Sequence, residues 1–379
     1  MLMHQTYIAN FDLDAFFVSV ERILDPSLEG KALILGGSRE RGVVSTCSYE
    51  ARKFGVRSAM PMARAVSLCP HAIVMKGSRG QYGKFSQWVT DIIAAKAPLF
   101  EKASIDEFYV DLTGMDRFFD PLQWTIDLRT EIMEKTRLPI SFGLASNKMV
   151  AKMATNAAKP NGYLQVMPGK EKEFLAPFPV GDIPGVGEHT LKSLNSLGIL
   201  SIEDLSSYPV NLLEQYFGKY GEVLSRKAIG DYEGSVHTDH ESKSISTEHT
   251  FFENTGDVDF LLNELKRMTE KIGHELRGEK RMTRCVAVKI RYPDFQTHTR
   301  QLSIQPTSFD DEIIKVVREL FHQLYDGKTP LRLIGVRFSE LIEQHLQTDL
   351  FQNKLKKDRL YQAIDVVKKR FGKGSVGRG

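Results

Sequence analysis

Two carboxylates one residue apart, in the stretch FDLDAFFVSVE at residues 11–21, are the first groups that could carry chemistry. Asp12 ends an apolar segment that reads as a strand, and a carboxylate at the edge of a core needs a partner because burying it unpaired is costly. Asp106 and Glu107 lie in ASIDE, at a turn predicted between two strands. Carboxylates brought together from neighbouring strands would favour Mg²⁺, and two such ions can clamp the oxygens of a phosphoryl transfer. Each acid taken alone could equally be a cap or a solvated group.

Positively charged and phenolic groups follow in two further motifs. In CSYEARKFGVRSAMP, Tyr49 and Arg52 are three residues apart and would share a helical face, where a phenol and a guanidinium could grip a triphosphate. In NKMVAKMATNAAKPNG, Lys152 shares a face with Lys148, and Lys159 precedes a proline and should end the helix. The alternative for each residue is an ordinary exposed side chain. Asp14 is expected to cap a helix beginning at Ala15, and the alternative is that it supports the neighbouring acids from behind.

A glycine-containing turn, PGVG, points to nucleic acid. Gly185 and Gly187 can expose backbone amides at the start of a helix, and such amides hold a phosphate without reading a base. This pattern favours non-specific DNA binding over a plain helical hairpin. Two basic stretches support it, because local patches set phosphate binding: residues 277–291 carry six Lys/Arg against one acid, and residues 354–378 carry nine against two.

Composition places the chain among ordinary globular proteins. Its 379 residues are 41% hydrophobic and 26% charged, with a net charge of +3, so several domains are expected but no particular partner follows from charge alone. We expect no membrane span and no signal peptide, because no long apolar run is present. Three cysteines without a CxxC motif argue against disulfides and zinc and suit a reducing cytosol.

The order of elements predicts a mixed α/β (α+β) protein of several domains. The first part should contain strands at 6–12 and 140–145, helices near 81–96 and 121–136, and a hairpin around 104–107. A helical segment at 168–232 and a polar linker at 233–242 follow. Residues 243–341 read as βαββαβ, with strands at 243–251, 283–291, 299–305 and 331–339 and helices at 257–277 and 309–325. In its third strand, Arg300, Leu302 and Ile304 should share one face and pack on helices.

Several long motifs occur in the order found in the Y family of DNA polymerases. The stretches FDLDAFFVSVE, CSYEARKFGVRSAMP, ASIDE, SFGLASNKMVAKMATNAAKPNGY and IPGVGEHTLKSLNSLGI carry the resemblance, which runs from about residue 6 to 341. The chain most resembles the bacterial lesion-bypass branch. The resemblance implies a right-hand polymerase with a ferredoxin-like palm, small fingers, a helical thumb with a helix-hairpin-helix motif, and a little finger.

The resemblance also implies a role for individual residues. Asp12, Asp106 and Glu107 would hold two Mg²⁺ ions with the backbone carbonyl of Leu13, and Glu107 would lie close to the primer 3′-hydroxyl. The residues that would contact the incoming dNTP are Phe17 (excluding a 2′-hydroxyl), Tyr49, Arg52, Lys159 and Ser45. DNA would be contacted by Gly185, Gly187, Arg284, Arg300 and Arg332. Ala15 stands where many relatives carry Cys or Tyr, which should leave slightly more room beside the nucleotide.

The implied domains follow the predicted elements. They are a palm at 1–13 and 77–167, fingers at 14–76, a thumb at 168–232 with its helix-hairpin-helix at 183–205, the linker at 233–242, a little finger at 243–341 and a tail at 342–379. The implied activity is template-directed, low-fidelity addition of dNTPs to a primer without proofreading. We expect a bacterial, cytoplasmic monomer that binds primer–template DNA.

The tail contains a short peptide, QTDLF at 347–351, that resembles the segment by which bacterial polymerases bind the sliding clamp, their β subunit. Leu350 and Phe351 would fill an apolar pocket and Gln347 would hydrogen-bond nearby, because few residues can carry most of such an interface. The alternative is that Leu350 and Phe351 pack back onto the little finger.

Two other functions are compatible with part of the pattern. Asp12-Leu13-Asp14 is a DxD, as in metal-dependent glycosyltransferases, but this assignment leaves the hairpin and ASIDE unexplained. A non-catalytic DNA-binding protein built on the hairpin leaves the clustered acids unexplained.

Overall fold

The computed structural model describes residues 5–232, 234–238, 241–343 and 352–372. The chain divides into two compact units, residues 1–240 (unit 1) and 241–379 (unit 2). Among the described residues, no helix has both the length and the apolar character needed to cross a membrane. All three cysteines are buried and free, as expected.

Unit 1 contains three layers of strands and helices followed by a group of short helices. Its strands are β1 Ile8–Leu13, β2 Leu33–Gly36, β3 Val44–Cys47, β4 Ile73–Met75, β5 Leu99–Lys102, β6 Glu107–Asp111, β7 Ile140–Ala145 and β8 Tyr163–Gln165. Its helices are α1 Phe16–Leu24, α2 Tyr49–Arg52, α3 Met62–Leu68, α4 Arg79–Ala94, α5 Pro121–Thr136, α6 Lys148–Ala158, α7 Glu171–Leu175, α8 Glu188–Ser196, α9 Ile202–Ser207, α10 Val210–Phe217 and α11 Lys219–Ala228.

A five-stranded sheet in the order β5-β6-β1-β7-β8 forms the centre of unit 1. Strand β1 lies in the middle and is buried along its whole length, antiparallel to both β6 and β7. Alternate residues of β1 face opposite sides because strands have a period of two. Phe11 and Leu13 enter the core shared with α4 and α5, whereas Ile8 enters the core shared with α6 and the short helices. Asp12 therefore faces α6.

Helix α6 packs unusually close to the central sheet at Gly143 in β7. A Cβ atom at this position would lie 2.2 Å from the Ala151 carbonyl oxygen, so only glycine permits the approach. Thr155 of α6 donates its hydroxyl to the backbone carbonyl and the side chain of Asn10 in β1. These contacts fix the helix over the strand that carries Asp12.

Two smaller parts complete unit 1. Strands β3-β2-β4 form a separate three-stranded sheet with its own core against α2 and α3. The helices from α7 to α11 pack around Leu194, Leu205, Leu213 and Leu224. The predicted turn at Pro184 and Gly185 lies before α8, with its carbonyls accepting from Lys227 and Tyr220.

Unit 2 has the predicted βαββαβ order. Its elements are β9 Ser244–Thr255, α12 Val258–Gly278, β10 Arg281–Arg291, β11 Thr297–Thr307, α13 Asp310–Leu324, β12 Leu331–Glu343 and α14 Gln352–Phe371. The sheet order is β11-β10-β12-β9, with every neighbouring pair antiparallel. Strand β12 thus lies between the parallel strands β9 and β10, which is a split βαβ arrangement.

The edge strand β11 differs from the sequence expectation. We expected Arg300, Leu302 and Ile304 to pack on helices, but residues 297–303 are exposed on both faces and Leu302 is 45% exposed. Of these three residues, Ile304 alone packs against the core, from a half-buried position. Apolar and polar residues do alternate in this part of the sequence. However, β11 is an edge strand with no neighbour on one side, and the helices of unit 2 cover only its end.

Helix α14 is tied to α12 and α13 by charged and aromatic contacts. Asp365 accepts hydrogen bonds from Arg277 at 2.7 Å and from His274 at 2.8 Å. The buried Tyr361 donates to Asp311 at 2.7 Å and lies under the Arg277 guanidinium. The second half of the predicted tail is therefore part of the folded unit.

Candidate active site

The end of β1 and the start of β6 bring carboxylates together. Asp12 is paired directly with Glu107 in the β1–β6 register, so their side chains lie on the same face of the sheet. Asp106 lies in the turn before β6, where its carbonyl accepts from the Leu13 amide at 3.0 Å and its carboxylate accepts from Ser104. Asp106 thus lies in the turn expected from the sequence, and Glu107 begins the strand that follows it.

Two lysines of the α6 region contact these acids. Lys152 Nζ lies 2.6 Å from Asp12 Oδ2 and 3.0 Å from Glu107 Oε2, and Lys159 pairs with Asp12 Oδ1. Asn10 also donates to Glu107 Oε1 at 2.9 Å. The Asp12 side chain is only 10% exposed, so both of its oxygens are neutralised by ammonium groups in a mostly buried position.

Burial and neighbouring charges shift the pKa values of two groups in the site. Burial raises the pKa of Asp106, and the nearby charge of Asp12 raises it further, against the hydrogen bond from Ser104. Burial works against the Lys152 ammonium, but the charges of Asp12 and Glu107 outweigh it and raise the lysine pKa. The raised pKa of Lys152 shows that the two carboxylates stabilise its positive charge between them.

A cavity of about 220 Å³ opens beside the acids. Its lining contains seven of the predicted residues, namely Asp12, Leu13, Phe17, Ser45, Arg52, Asp106 and Lys159. The lining also contains Ala15, which was expected to lie beside the nucleotide, and Phe16, Thr46 and Ser58, which had no predicted role there. One cavity therefore contains carboxylate oxygens, a guanidinium, an ammonium and an aromatic ring. These are groups that could bind a nucleoside triphosphate.

Tyr49 and Arg52 lie together, as their spacing predicted. The Arg52 guanidinium lies 4.6 Å from the centre of the Tyr49 ring. The Tyr49 hydroxyl donates to Asp14 at 3.2 Å, and burial followed by the Asp14 charge raises the pKa of this phenol. Tyr49 is not among the described residues that line the cavity.

Asp14 does not cap α1, so that prediction was wrong. Ala15, at the helix N-cap, has a left-handed conformation with φ 43°, and no side chain caps the helix. The buried Asp14 carboxylate instead accepts from Tyr49, from Ser141 Oγ at 2.8 Å and from the Asn161 amide at 2.8 Å. Asp14 therefore joins three segments around the cavity.

Phe17 is half-buried against a partner that sequence reasoning missed. Its ring stacks on Tyr82 of α4 with 4.1 Å between ring centres and 9° between planes. The neighbouring Phe16 is buried in the core. The sequence placed Tyr82 in a predicted helix. A helical pattern alone does not show which aromatic side chain Tyr82 contacts.

The site fits a divalent cation by its donor chemistry. Carboxylates and a backbone carbonyl are the hard oxygen ligands that Mg²⁺ prefers. The ammonium groups of Lys152 and Lys159 show that positive charge is stable beside Asp12. Within the described ranges, no three His, Cys, Asp or Glu side chains are gathered as a ready metal-binding cluster. A cation would therefore have to replace the Lys152 bridge between Asp12 and Glu107.

The predicted DNA contacts lie in several places. Gly185 has φ +94° in the turn before α8, and Gly187 is the N-cap of that helix. Arg284 and Arg300 lie on β10 and β11, and Arg332 lies on β12 with its guanidinium 4.7 Å from the Phe295 ring. Gln347, Leu350 and Phe351 of the predicted clamp peptide lie outside the described residues.

Three family models match consecutive parts of the chain. The impB/mucB/samB family model matches residues 11–156, the HHH motif model of the IMS family matches 168–199, and the C-terminal domain model of the impB/mucB/samB family matches 242–350.

Curated relatives match along almost the whole chain. A DNA polymerase IV from Dehalococcoides mccartyi is 37% identical over 98% of this chain and 96% of its own length. One from Opitutus terrae is also 37% identical, over 98% and 96%.

Solved structures have the same fold. A chimera of the Y-family DNA polymerases Dbh and Dpo4 has a TM-score of 0.78 at 29% identity, over 89% of this chain and 99% of its own. DinB from Sulfolobus solfataricus has a TM-score of 0.61 at 29% identity, over the same shares. The likenesses agree with the right-hand polymerase fold expected from the sequence. The chain therefore belongs to the Y family of DNA polymerases, within the impB/mucB/samB group that includes DNA polymerase IV.

Proposed function

We infer that this protein is a DNA-directed DNA polymerase of the translesion type, which adds dNTPs to a primer 3′-hydroxyl. The observation that carries this conclusion is one cavity lined by Asp12, Asp106, Arg52, Lys159 and Phe17. Acids, phosphate-binding cations and an aromatic ring are the groups that nucleotidyl transfer requires together. Neither a DxD glycosyltransferase nor a non-catalytic DNA-binding protein accounts for this combination.

We propose Mg²⁺ as the cation, with two ions held by Asp12, Asp106, Glu107 and the Leu13 carbonyl. When bound, these ions would supply charge neutralisation for the triphosphate and for the attacking oxygen. Lys159 pairs with Asp12 and lines the same cavity, where its ammonium would meet an incoming triphosphate. Glu107, the partner of Asp12 on the neighbouring strand β6, is our candidate for the carboxylate nearest the primer terminus.

The remaining cavity residues would hold and select the nucleotide. Arg52 offers a planar fork of donors suited to phosphate oxygens, with Tyr49 beneath it. Ser45, also in the lining, offers a hydroxyl to the same phosphates. Phe17 would pack against the sugar and exclude a 2′-hydroxyl by contact. Its ring forms part of the cavity wall, which supports this role.

The domain boundaries are proposed from the elements. The central sheet supports a palm at 1–13 and 77–167, and the small sheet supports fingers at 14–76. The short helices support a thumb at 168–232, with the helix-hairpin-helix at 183–205. The boundary between the compact units at residue 240 supports a linker at 233–242, before a little finger at 243–341. Residues 342–379 would form the tail, which includes α14.

Primer–template DNA, dNTPs and a sliding clamp are the proposed partners. Gly185 and Gly187 would place backbone amides on phosphates, and Arg284, Arg300 and Arg332 would contribute cations from unit 2. The QTDLF peptide at 347–351 would bind the clamp. A monomer in the bacterial cytoplasm suits an enzyme that acts on chromosomal DNA, and buried free cysteines agree with that compartment.

Primer extension by Asp106→Ala tests the assignment. Asp106 lines the cavity, and removing its carboxylate should abolish nucleotide addition because the developing charge loses a stabilising site. Binding of primer–template DNA, measured by fluorescence anisotropy, should survive because the proposed DNA contacts are untouched. Asp111→Ala, at the far end of β6, is the matched control. Near-normal extension by Asp106→Ala would contradict the active-site assignment.

A further inference from the structure

Asn10 is a polar residue on β1 that has no part in the chemistry proposed so far. It is completely buried and lies two positions before Asp12, so both side chains are on the side of the sheet that faces α6. The amide nitrogen of Asn10 donates to Glu107 Oε1 at 2.9 Å. Asn10 therefore holds one of the two carboxylate oxygens of a proposed metal ligand.

The Asn10 amide is itself oriented by Thr155 of α6. The Thr155 hydroxyl has one proton to donate, and Asn10 Oδ1 at 2.7 Å is nearer to it than the Asn10 and Ala151 carbonyls, both at 2.9 Å. With its oxygen held in this way, the amide turns its nitrogen toward Glu107. The reverse orientation would place the amide oxygen against the carboxylate, and two acceptors cannot share a hydrogen bond.

The two oxygens of Glu107 have different partners. Oε1 accepts from the neutral Asn10 amide, whereas Oε2 lies 3.0 Å from Lys152 Nζ, which also lies 2.6 Å from Asp12 Oδ2. The Asn10 amide has a poor second choice of acceptor, because the Phe108 carbonyl is 3.5 Å away. A cation that replaces Lys152 would therefore meet Oε2, while Oε1 stays bound to Asn10.

We propose that Asn10, aligned by Thr155, is a positioning residue that holds Glu107 Oε1 and leaves Oε2 to bind the metal ion. Neither Asn10 nor Thr155 is among the described residues that line the cavity, so each acts through Glu107. Hydrogen-bond partners of a metal-binding carboxylate typically contribute about ten- to hundredfold to metal affinity or activity, because they fix its orientation. The inference rests on the proposed role of Glu107 as a metal ligand.

The test measures Mn²⁺ binding by isothermal titration calorimetry and the kinetics of single-dNTP addition. Asn10→Leu removes the amide, and Thr155→Val replaces the orienting hydroxyl by a methyl group of similar size. Each variant should weaken Mn²⁺ binding about tenfold and lower kcat about tenfold, with the KM for dNTP unchanged. Thr155→Ser keeps the hydroxyl and should restore both Mn²⁺ affinity and kcat to the wild-type values.

Two comparisons separate positioning from general damage. Thr125→Val is the matched control, because Thr125 is as completely buried as Thr155 but donates its hydroxyl within its own helix, to the Pro121 carbonyl at 2.6 Å. This control should leave Mn²⁺ affinity and kcat unchanged. In the Glu107→Ala background, Asn10→Leu should weaken Mn²⁺ binding no further, because both residues act through one carboxylate.

The outcomes distinguish two failures. If Glu107→Ala leaves Mn²⁺ affinity and kcat at the wild-type values, the proposed role of Glu107 is wrong and this inference falls with it. If Glu107→Ala lowers both but Asn10→Leu and Thr155→Val do not, only the positioning role is overturned. An equal loss in Thr155→Ser and Thr155→Val would also overturn it, because the hydroxyl would then make no difference.

Discussion

The Lys152 ammonium lies 2.6 Å from a carboxylate oxygen of Asp12 and 3.0 Å from one of Glu107, so a single side chain joins two acids proposed to hold metal. The bridge occupies the space between the carboxylates and neutralises both. A divalent cation entering there must compete with it, because two positive groups cannot share that space without repulsion.

Lys152→Met should therefore strengthen the binding of Mn²⁺ to the enzyme in the absence of nucleotide. Removing the competing charge should tighten binding about tenfold, which corresponds to roughly 1.4 kcal/mol. Isothermal titration calorimetry measures the change. The control is Lys148→Met, which removes a lysine one helical turn earlier that pairs with Glu101 instead. Unchanged or weaker Mn²⁺ binding by Lys152→Met would show that the lysine does not compete.

Asp14→Asn should weaken dNTP binding without a comparable loss in turnover. The carboxylate accepts hydrogen bonds from Tyr49, a proposed dNTP contact, and from the Asn161 amide, two positions after Lys159. Weakening a hydrogen bond to a charged group should raise the KM for dNTP about tenfold. Steady-state single-nucleotide incorporation provides both constants. Ser19→Ala, which removes only a bond to the Asp14 backbone carbonyl, should leave KM unchanged. A fall confined to kcat would contradict this account.

The attachment of α14 to unit 2 should depend on pH through Asp365. Burial opposes ionisation of this carboxyl, but hydrogen bonds from Arg277 and His274 lower its pKa below the ordinary 3.8. An acid whose pKa is lowered by folding stabilises the fold above its unfolded pKa, and that stabilisation is lost as the pH falls through the folded value. Protection of α14 amides from hydrogen exchange should thus decline below about pH 3.8. Asp310 acts in the opposite sense, because burial raises its pKa.

A variant isolates the Asp365 contribution. Asp365→Asn should reduce α14 protection already at neutral pH, since Arg277 loses one of its two carboxylate partners. Gln362→Ala, on the exposed face of the same helix, is the control. Equal α14 protection in wild type and Asp365→Asn at neutral pH would mean that other contacts hold the helix.

Replacing Leu350 and Phe351 together by alanine should abolish stimulation by a loaded sliding clamp. The apolar side chains would carry most of such a small interface, whereas catalysis does not require them. Extension of short primers without clamp should remain at the wild-type rate. Replacing His345 by alanine, outside the five-residue match, should leave stimulation intact. Wild-type stimulation of the double variant would identify another contact.

Local sequence determined most of the elements. The predicted helix at 121–136 and strand at 140–145 have those same bounds in the structure, and the βαββαβ order of unit 2 is as expected. Apolar periodicity and turn residues act over a few positions, so they can be read from the chain directly. The family resemblance was also available, because it rests on continuous motifs such as FDLDAFF and ASIDE.

Tertiary structure decided which side chains meet. Asp14 looked like a helix cap because its immediate neighbours suggested one, yet its partners Ser141 and Asn161 lie 127 and 147 positions away. Lys152 reaches Asp12 across 140 positions, and Tyr82 reaches Glu21 across 61. These contacts exist because α6 and α4 pack closely on β1 and α1. Such packing depends on how side chains from distant segments fit together, which no local periodicity encodes.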